Sequence, residues 1–384
     1  MPKNRFPAPV DDLHAVPVPT NAFVLRDDGT IEAPTTAEGN AQHAQTVVDA
    51  PPAPQLTPDT PNLIHSSDTP FLRIYHANSL ELLDAIATKY PDGRFDMIFA
   101  DPPYFLSNGG ITCHAGRMVK VDKGHWDKSR GPELNHEFNL EWLRRCQRVL
   151  KPNGTIWVSG THHVIFSIGY ALQQLGYKIL NDIAWEKPNP PPNLSCRYFT
   201  HSTETVLWAA KNEQSKHIFN YQEMRKVTGK QMKTVWRKEE LGSTGHWTAS
   251  SDSPNEMEKL HATNLNAQSS NIAASVLFGG SPPGAGDSPA PPNIWTMTAP
   301  GSNEKEHGKH PTQKPVALVE RCVLASTHEG DLVLDPFLGG GTTAVASVRL
   351  KRGCVGIEWD EAHARLAVQR IKSEGKQRER DLFS

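Results

Sequence analysis

The sequence lacks three features that would assign it at once to a broad class. No apolar run approaches the roughly 18 residues that a membrane-spanning helix needs, so we expect no membrane span. The amino terminus shows no signal-peptide pattern of charge, apolar run and cleavage site. The five cysteines form no Cys-x-x-Cys pair, and the seventeen histidines show no metal-ligand spacing with them. We therefore expect a cytoplasmic protein with reduced thiols and no metal site.

The sequence also lacks the net basic charge that is typical of nucleic-acid-binding proteins, but its charge is unevenly distributed. The net charge is −2, and the first 70 residues hold nine acids and three bases, a net of −6, which leaves +4 for the rest. Residues 211–240 carry eight bases against four acids, with Phe219, Tyr221 and Trp236 among them. Alone, such a run indicates a solvated surface, whereas beside a nucleic-acid site it would supply phosphate contacts.

Composition and periodicity divide the 384 residues into a tail, two halves of one domain and an inserted region. The tail is acidic and rich in proline, which predicts disorder, and the first regular strand is expected at 71–75. Strands alternate with helices in both halves, which predicts an α/β fold with a mainly parallel, twisted sheet and helices on both faces. The segments are the tail at 1–65, the first half at 66–210, the inserted region at 211–300 with a flexible insertion at 239–292, and the second half at 301–384.

The turn Asp101-Pro102-Pro103-Tyr104 follows an apolar run at 95–99 that predicts a buried strand. Two successive prolines cannot continue a strand, so the chain stops on a carboxylate and an aromatic ring. Open α/β sheets bind ligands at the carboxyl ends of their strands. Asp101 and the carbonyl of Pro102 could accept the two N–H groups of a planar amine, and Tyr104 could stack on its ring. Alone, the same four residues could equally form an ordinary turn.

A second turn, at 335–343, joins a predicted strand to a helix and is rich in glycine. Glycines let a backbone approach a ligand, and Glu358, nineteen residues after Gly339, is placed to accept hydrogen bonds from ribose hydroxyls. Gly339, Gly341 and Ala344 also match the G-x-G-x-x-A pattern of dinucleotide-binding enzymes. Fewer than 30 residues follow Glu358, too few for the strands that a dinucleotide domain would add.

The two turns together resemble the paired motifs of the amino-methyltransferases of DNA. Asp101-Pro102-Pro103-Tyr104 comes first and Asp335-Pro336-Phe337-x-Gly339-x-Gly341 comes last, an order that resembles the β class of that family. The similarity covers about residues 71–238 and 293–372 and is strongest to adenine-N6-specific members, such as the second methyltransferases of DpnII-type systems and the HinfI and cell-cycle-regulated enzymes. It implies a Rossmann-like methyltransferase fold dependent on S-adenosylmethionine, with circularly permuted motif order and an inserted target recognition region.

The resemblance also implies roles for three sets of residues, with a catalytic first half and a cofactor-binding second half. The catalytic set is Asp101, Pro102, Pro103 and Tyr104. The S-adenosylmethionine-binding set is Asn78, Ser79, His310, Lys314, Asp335, Phe337, Gly339, Gly341, Thr342 and Glu358, with Lys314 directed at the cofactor carboxylate and Glu358 at its ribose. The DNA-binding set is Trp126, Asn189, Arg197, Arg225, Lys226, Lys230, Lys233, Trp236 and Arg237.

Three interpretations of function remain open from the sequence. They are adenine-N6 methylation of a flipped base in DNA, cytosine-N4 methylation, and a non-catalytic cofactor-binding subunit. Cytosine-specific relatives more often carry Ser where this chain has Asp101, and the intact motifs argue against a non-catalytic subunit. DNA is the expected partner, with a homodimer and a cognate restriction endonuclease as further candidates and no membrane. An adenine in the palindrome GATC is the expected target.

Overall fold

The computed structural model describes residues 24–32, 61–106, 111–114, 117–120, 127–187, 190, 196–228, 231–236 and 313–382. All of them belong to one compact unit, Met1–Glu240 with Ile294–Ser384. The predicted flexible insertion at 239–292 lies outside the described residues. Within these ranges, no helix is both long and apolar enough to cross a membrane.

The described residues form thirteen strands and seven α-helices. The strands are β1 (Val24–Leu25), β2 (Ile31–Glu32), β3 (Asn62–Asp68), β4 (Phe71–His76), β5 (Phe95–Ala100), β6 (Ile111–His114), β7 (Arg117–Lys120), β8 (Leu150–Gly160), β9 (Lys178–Glu186), β10 (Thr203–Ala210), β11 (Val235–Trp236), β12 (Leu332–Asp335) and β13 (Gly353–Glu358). The helices are α1 (Ser79–Lys89), α2 (Pro132–Val149), α3 (Ile165–Gln174), α4 (Tyr221–Thr228), α5 (Val316–Ser326), α6 (Thr342–Arg349) and α7 (Glu361–Leu382).

Nine of these strands form one sheet in the order β11-β9-β10-β8-β5-β12-β13-β4-β3. Its five central strands, from β8 to β4, are parallel to one another, which confirms the predicted mainly parallel sheet. The carboxyl ends of β5, β12 and β13 therefore meet along one side of the sheet, which we call the carboxyl edge. Strand β10 runs antiparallel to β8, so β10 starts at the carboxyl edge and ends at the opposite one.

Helices cover both faces of the sheet, as the alternating pattern predicts. Ile156 and Val158 of β8 belong to the buried core that also contains side chains of α1, α2 and α3. Trp157, between them, points to the other face, where its indole N–H donates to the Ser326 hydroxyl of α5 over 3.0 Å. Its ring stacks on Trp208 with centroids 4.7 Å apart. Because side chains alternate along a strand, one residue of β8 in every two packs against each helix layer.

The prediction of a disordered tail over 1–65 is wrong for residues 24–32 and 61–65. Strands β1 and β2 pair as a short antiparallel hairpin, and β3 pairs with β4 at the edge of the sheet. The hairpin is held by long-range contacts: the Tyr75 hydroxyl donates to the Gly29 carbonyl over 2.8 Å, and Lys89 Nζ lies 2.7 Å from Asp27 Oδ1. Two-residue strands are too short to show a periodic pattern, so composition dominated the prediction.

Candidate active site

The sheet brings the two turns of the sequence analysis together. Strands β5 and β12 are parallel neighbours, with Ile98 opposite Leu334, so Asp101 and Asp335 lie at the carboxyl ends of adjacent strands. The Ser79 hydroxyl at the start of α1 donates to the Pro336 carbonyl over 2.5 Å, which ties this helix to the second turn. The predicted catalytic residues and the described members of the cofactor set therefore lie along one stretch of the carboxyl edge.

Asp101 is held in a fixed orientation by three donors from three parts of the fold. Its Oδ1 accepts from the Ser159 hydroxyl of β8 and from the Tyr104 hydroxyl, each over 2.7 Å. Its Oδ2 accepts from Lys314 Nζ over 2.6 Å. The Asp101 side chain remains 15% exposed, so the carboxylate is oriented by the protein and still reachable. Such an oriented acceptor suits a ligand that carries an amino group.

Tyr104 lies directly under this carboxylate and is 5% exposed. Burial, with the nearby carboxylates of Asp101 and Glu204, raises the pKa of Tyr104 well above its usual value of 10. The phenol therefore keeps its proton at neutral pH and acts as a donor to Asp101. Lys314 Nζ lies 5.2 Å from the centre of the Tyr104 ring.

The buried carboxylate of Asp127, to which the sequence analysis assigned no role, shapes the turn after Tyr104. Its Oδ1 accepts from the backbone N–H groups of Tyr104 and Phe105, each over 2.8 Å, and its Oδ2 accepts from that of Leu106 over 3.1 Å. Phe105 adopts φ 57°, a left-handed conformation that a non-glycine residue needs such support to hold. Asp127 is fully buried and fixes the backbone of residues 104–106.

Lys314, which the resemblance directs at a cofactor carboxylate, lies instead on Asp101 in this structure. Its ammonium also donates to the Tyr104 hydroxyl over 3.0 Å and lies 3.7 Å from Glu204 Oε2. Burial lowers the pKa of Lys314, but the charges of Asp101 and Glu204 and the hydrogen bond to Asp101 raise it more, so the pKa lies above its ordinary value. The buried side chain therefore stays an ammonium.

Glu204 is the second carboxylate of this cluster, and the sequence analysis missed it. It follows Thr203 at the start of β10 and is 7% exposed at its side chain. Its Oε1 accepts from Lys187 Nζ, which leaves Oε2 facing Lys314. An acid beside the apolar run of β10 is the only signal that the sequence offers, because Lys314, which faces Glu204, is 110 residues away in the chain.

Glu358, at the end of β13, lies on the other side of the second turn. Its Oε2 accepts from the Gly339 N–H over 2.7 Å and its Oε1 from the Asp360 N–H over 2.9 Å. Burial raises the pKa of Glu358, although these two hydrogen bonds act in the opposite direction. Each carboxylate oxygen can accept about two hydrogen bonds, so this side chain can also accept from ribose hydroxyls.

Asp335 accepts hydrogen bonds from two other residues of the second turn. Its Oδ1 accepts from the Phe337 N–H over 2.9 Å and its Oδ2 from the Thr343 hydroxyl over 2.6 Å. Burial raises the pKa of Asp335 to about 7. These bonds link the end of β12 to the first turn of α6, so Asp335 orders the turn.

The remaining described members of the predicted cofactor set support the same two turns. Asn78 caps α1 by accepting from the Leu80 N–H over 3.0 Å. Phe337 packs edge-on against Trp142 with centroids 5.3 Å apart. Gly341 has φ 80° at the start of α6, which begins at Thr342. His310 lies outside the described residues.

The structure separates the predicted DNA-binding residues into two groups. Exposed Arg197 precedes β10 and therefore lies at the carboxyl edge. Arg225 and Lys226 belong to α4, whose start is anchored far from that edge: the side-chain amide of Asn220 donates to the carbonyls of Leu324 and Thr327, 2.7 and 2.8 Å away, at the end of α5. Lys314 precedes the opposite end of the same helix. Arg225 and Lys226 therefore lie on a helix that starts near the opposite edge of the sheet from Asp101.

Two further predicted DNA-binding residues, Lys233 and Trp236, lie at or just before the edge strand β11. Trp236 pairs with Trp185 of β9 near the carboxyl edge, and exposed Lys233 lies three residues earlier. Four positions lie outside the described residues, namely Trp126, Asn189, Lys230 and Arg237.

Residues 95–369 match the family described as DNA methylase, which joins the N6 and N4 types. The chain is 44% identical over 305 residues to the Type II methyltransferase M2.DpnII of Streptococcus pneumoniae, covering 79% of this chain and 90% of that protein. It is 39% identical over 326 residues to the Type II methyltransferase M2.MboI of Moraxella bovis, covering 83% and 96%. Among solved structures, the M1.HpyAVI-SAM complex aligns with a TM-score of 0.46 at 24% identity, covering 78% of this chain and 99% of that one.

Proposed function

The chain belongs to the DNA methylase family of N6 and N4 amino-methyltransferases, and on that premise we propose that it transfers a methyl group from S-adenosylmethionine to the N6 amino group of an adenine in DNA. In this proposal Asp101 binds and orients that amino group. One observation carries this proposal. An oriented acceptor for an amine, Asp101, and an acceptor for a ribose, Glu358, stand at the carboxyl ends of strands in one parallel sheet. A non-catalytic subunit would not need the three donors that orient Asp101.

The chemistry follows from the weakness of the nucleophile. The lone pair of the adenine amino group is conjugated with the ring, so the group must be turned toward tetrahedral geometry before it can attack. The Asp101 carboxylate and the Pro102 carbonyl accept its two N–H groups and direct the lone pair outward. S-adenosylmethionine, when bound, supplies a methyl group on a positively charged sulfur. Positioning and electrostatics then suffice without a covalent intermediate, and the methylated amine is acidic enough to lose its proton without a strong base.

The second turn would hold the cofactor. Glu358 would accept hydrogen bonds from the ribose hydroxyls, as its remaining acceptor capacity allows. The turn from Phe337 to Thr342 would contact the methionine end, where Gly339 and Gly341 keep the backbone accessible. Asn78 and Ser79, at the start of α1 beside Pro336, would contact the adenine of the cofactor.

The target adenine reaches Asp101 by leaving the duplex. Flipping a base out of the stack costs a few kcal/mol, which contacts with the protein must offset. The flipped base stacks on the ring of Tyr104, next to the carboxylate that accepts from its amino group. The duplex then lies along the carboxyl edge, where Arg197 can contact its phosphates.

We also propose the partners of this protein. DNA is the substrate, and a cognate restriction endonuclease fits the Type II names of the relatives. GATC is the proposed recognition sequence, read by side chains of residues 189–300, and the protein would act in the cytoplasm. A homodimer remains a proposal that sedimentation of the purified protein would test.

Sequencing of modified bases tests the function directly. The chain is expressed in a methylation-free host, beside the Asp101→Ala variant, and both genomes are sequenced for modified bases. We expect N6-methyladenine within GATC from the wild-type chain and none from the variant. Calorimetry with S-adenosylmethionine should give the same cofactor affinity for both, because Asp101 faces the target amine. Modified cytosine would overturn the choice of base, and an asymmetric motif would overturn GATC.

A further inference from the structure

The Lys314 ammonium is paired with the acceptor that the target amino group is proposed to use. It lies 2.6 Å from Asp101 Oδ2 and 3.0 Å from the Tyr104 hydroxyl, at the hydroxyl end of that ring. An amine that binds Asp101 therefore shares Oδ2 with a cation that weakens this oxygen as an acceptor. If the chain acts as proposed above, moving the ammonium off Asp101 leaves Oδ2 wholly to the amine.

A buried acceptor stands ready beside it. Glu204 Oε2 lies 3.7 Å from Lys314 Nζ, just beyond hydrogen-bond distance. Within the described part of the chain, this oxygen is buried and accepts no hydrogen bond. A buried carboxylate oxygen without a donor is costly, so the site favours a donor that moves toward it. A shift of about 1 Å would bring the ammonium into hydrogen-bond distance of Glu204 and lengthen its contact with Asp101.

We propose that Glu204 is a positioning residue for methyl transfer: it takes the Lys314 ammonium from Asp101 when the target amino group arrives. The ammonium exchanges one carboxylate for another and stays paired and buried throughout. Asp101 thereby gains a free acceptor oxygen for the amine. Lys187, bound to the other oxygen of Glu204, keeps that carboxylate in place during the exchange.

The charges around the ammonium fit this role. Asp101 at the end of β5, Tyr104 in the following turn and Glu204 on β10 face it, and Lys187 faces Glu204 from the far side. With Lys314 and Lys187 charged, the two carboxylates are balanced by two cations. Moving Lys314 between the carboxylates therefore changes no net charge in the buried cluster, and the N–H of the target amine takes the place that the ammonium leaves on Asp101.

The first test replaces Glu204 by Gln, which keeps the shape and the Lys187 contact but removes the charge that attracts Lys314. We expect the single-turnover rate of methyl transfer, at saturating DNA and cofactor, to fall about 10-fold or more, with cofactor affinity within about 2-fold of wild type. Glu204→Asp, which keeps the charge, should retain more of the rate. Glu320→Gln is the matched control, because it also removes one charge of an ion pair, here with Arg349 at the end of α6.

The second test asks whether Glu204 acts through Lys314. In a double-mutant cycle with Lys314→Met, adding Glu204→Gln should cost little further rate, because the group that Glu204 positions is gone. If Lys314→Met does not fold, Lys314→Gln takes its place in the cycle. A Glu204→Gln rate within about 2-fold of wild type, or fully additive losses in the cycle, overturns the proposal. A wild-type chain that methylates no DNA would instead overturn the proposed function.

Discussion

The carboxylates of this site differ in how much capacity to accept further hydrogen bonds they retain after binding donors of the protein. Asp335 has both oxygens committed to the turn that it closes, through Phe337 and Thr343. Glu358 has one protein donor on each oxygen and keeps capacity for a ligand. A carboxylate thus orders a turn at one position and is available to bind a ligand at another. Two predictions for single residues follow from that difference.

Replacing Glu358 by Gln should weaken binding of S-adenosylmethionine by about 1–3 kcal/mol, because a ribose hydroxyl would face an amide in place of a carboxylate. Calorimetric titration with the cofactor measures the change. Glu374→Gln is the control, since Glu374 of α7 pairs with Arg349 at the end of α6. Equal affinities for Glu358→Gln and wild type would show that the ribose lies elsewhere.

Asp335 makes stability depend on pH. Its pKa is about 7 in the folded protein against an ordinary value of 3.8. Between these values the folded chain binds more protons than the unfolded chain, so this group lowers the free energy of unfolding as pH rises from about 4 to 7. Asp335→Asn keeps an acceptor for the Phe337 N–H and has no such titration.

The melting temperature of Asp335→Asn, taken relative to wild type, should therefore rise between about pH 4 and pH 7 and level off above that range. Thermal unfolding across this range measures the difference, and the use of a difference cancels the titration of other groups. A difference that stays flat or falls would contradict a protonated Asp335 at acid pH.

Helix α6 shows how one element constrains a single glycine. Gly341 precedes the helix with φ 80°, and a Cβ atom there would lie 2.7 Å from Cβ of Ala367 in α7. The left-handed conformation and the close packing of two helices act at the same position. The glycine is therefore required by the packing of α6 on α7 as well as by any ligand.

Gly341→Ala should destabilise the protein by more than the roughly 1 kcal/mol typical of alanine in a left-handed conformation, because the added methyl also collides with α7. Gly176 is the matched control: it has φ 73°, and nothing lies within 4 Å of the position that an added methyl group would take. Chemical denaturation of both variants compares the two costs. Similar losses at the two sites would mean that α7 yields freely.

At the scale of the whole molecule, the sheet separates two basic residues that are candidates for contact with DNA. Arg197 lies in the loop that leads into β10 at the carboxyl edge, and Arg225 lies on α4, whose start is anchored at the far end of α5. Both arginines are exposed. Their different positions allow the side of the sheet that the duplex occupies to be tested.

Arg197→Ala should weaken binding to all duplex sequences and reduce the slope of log affinity against log salt concentration by about 1. Arg225→Ala should change neither quantity. Fluorescence anisotropy with a labelled duplex at several salt concentrations measures both. A larger effect at Arg225 than at Arg197 would place the duplex along a different side of the sheet.

The sequence by itself determined the α/β fold, the two turns and the order in which they occur. These features depend on neighbouring residues: an apolar run followed by Pro102 and Pro103 must end a strand, and a strand followed by glycines and Thr342 predicts the start of a helix. Strand β5 and the unit from β12 to β13 follow those local rules. The family resemblance rests on the same local motifs.

Only the tertiary structure decided what surrounds Asp101. Ser159, Glu204 and Lys314 come from separate elements, and the contact of Lys314 with Asp101 spans 213 residues of sequence. Such contacts depend on strand order and register, which local patterns do not encode. The β1–β2 hairpin in the proline-rich tail and the distance of α4 from the carboxyl edge have the same origin. Local sequence thus located the two turns, and the pairing of distant strands determined which side chains surround Asp101.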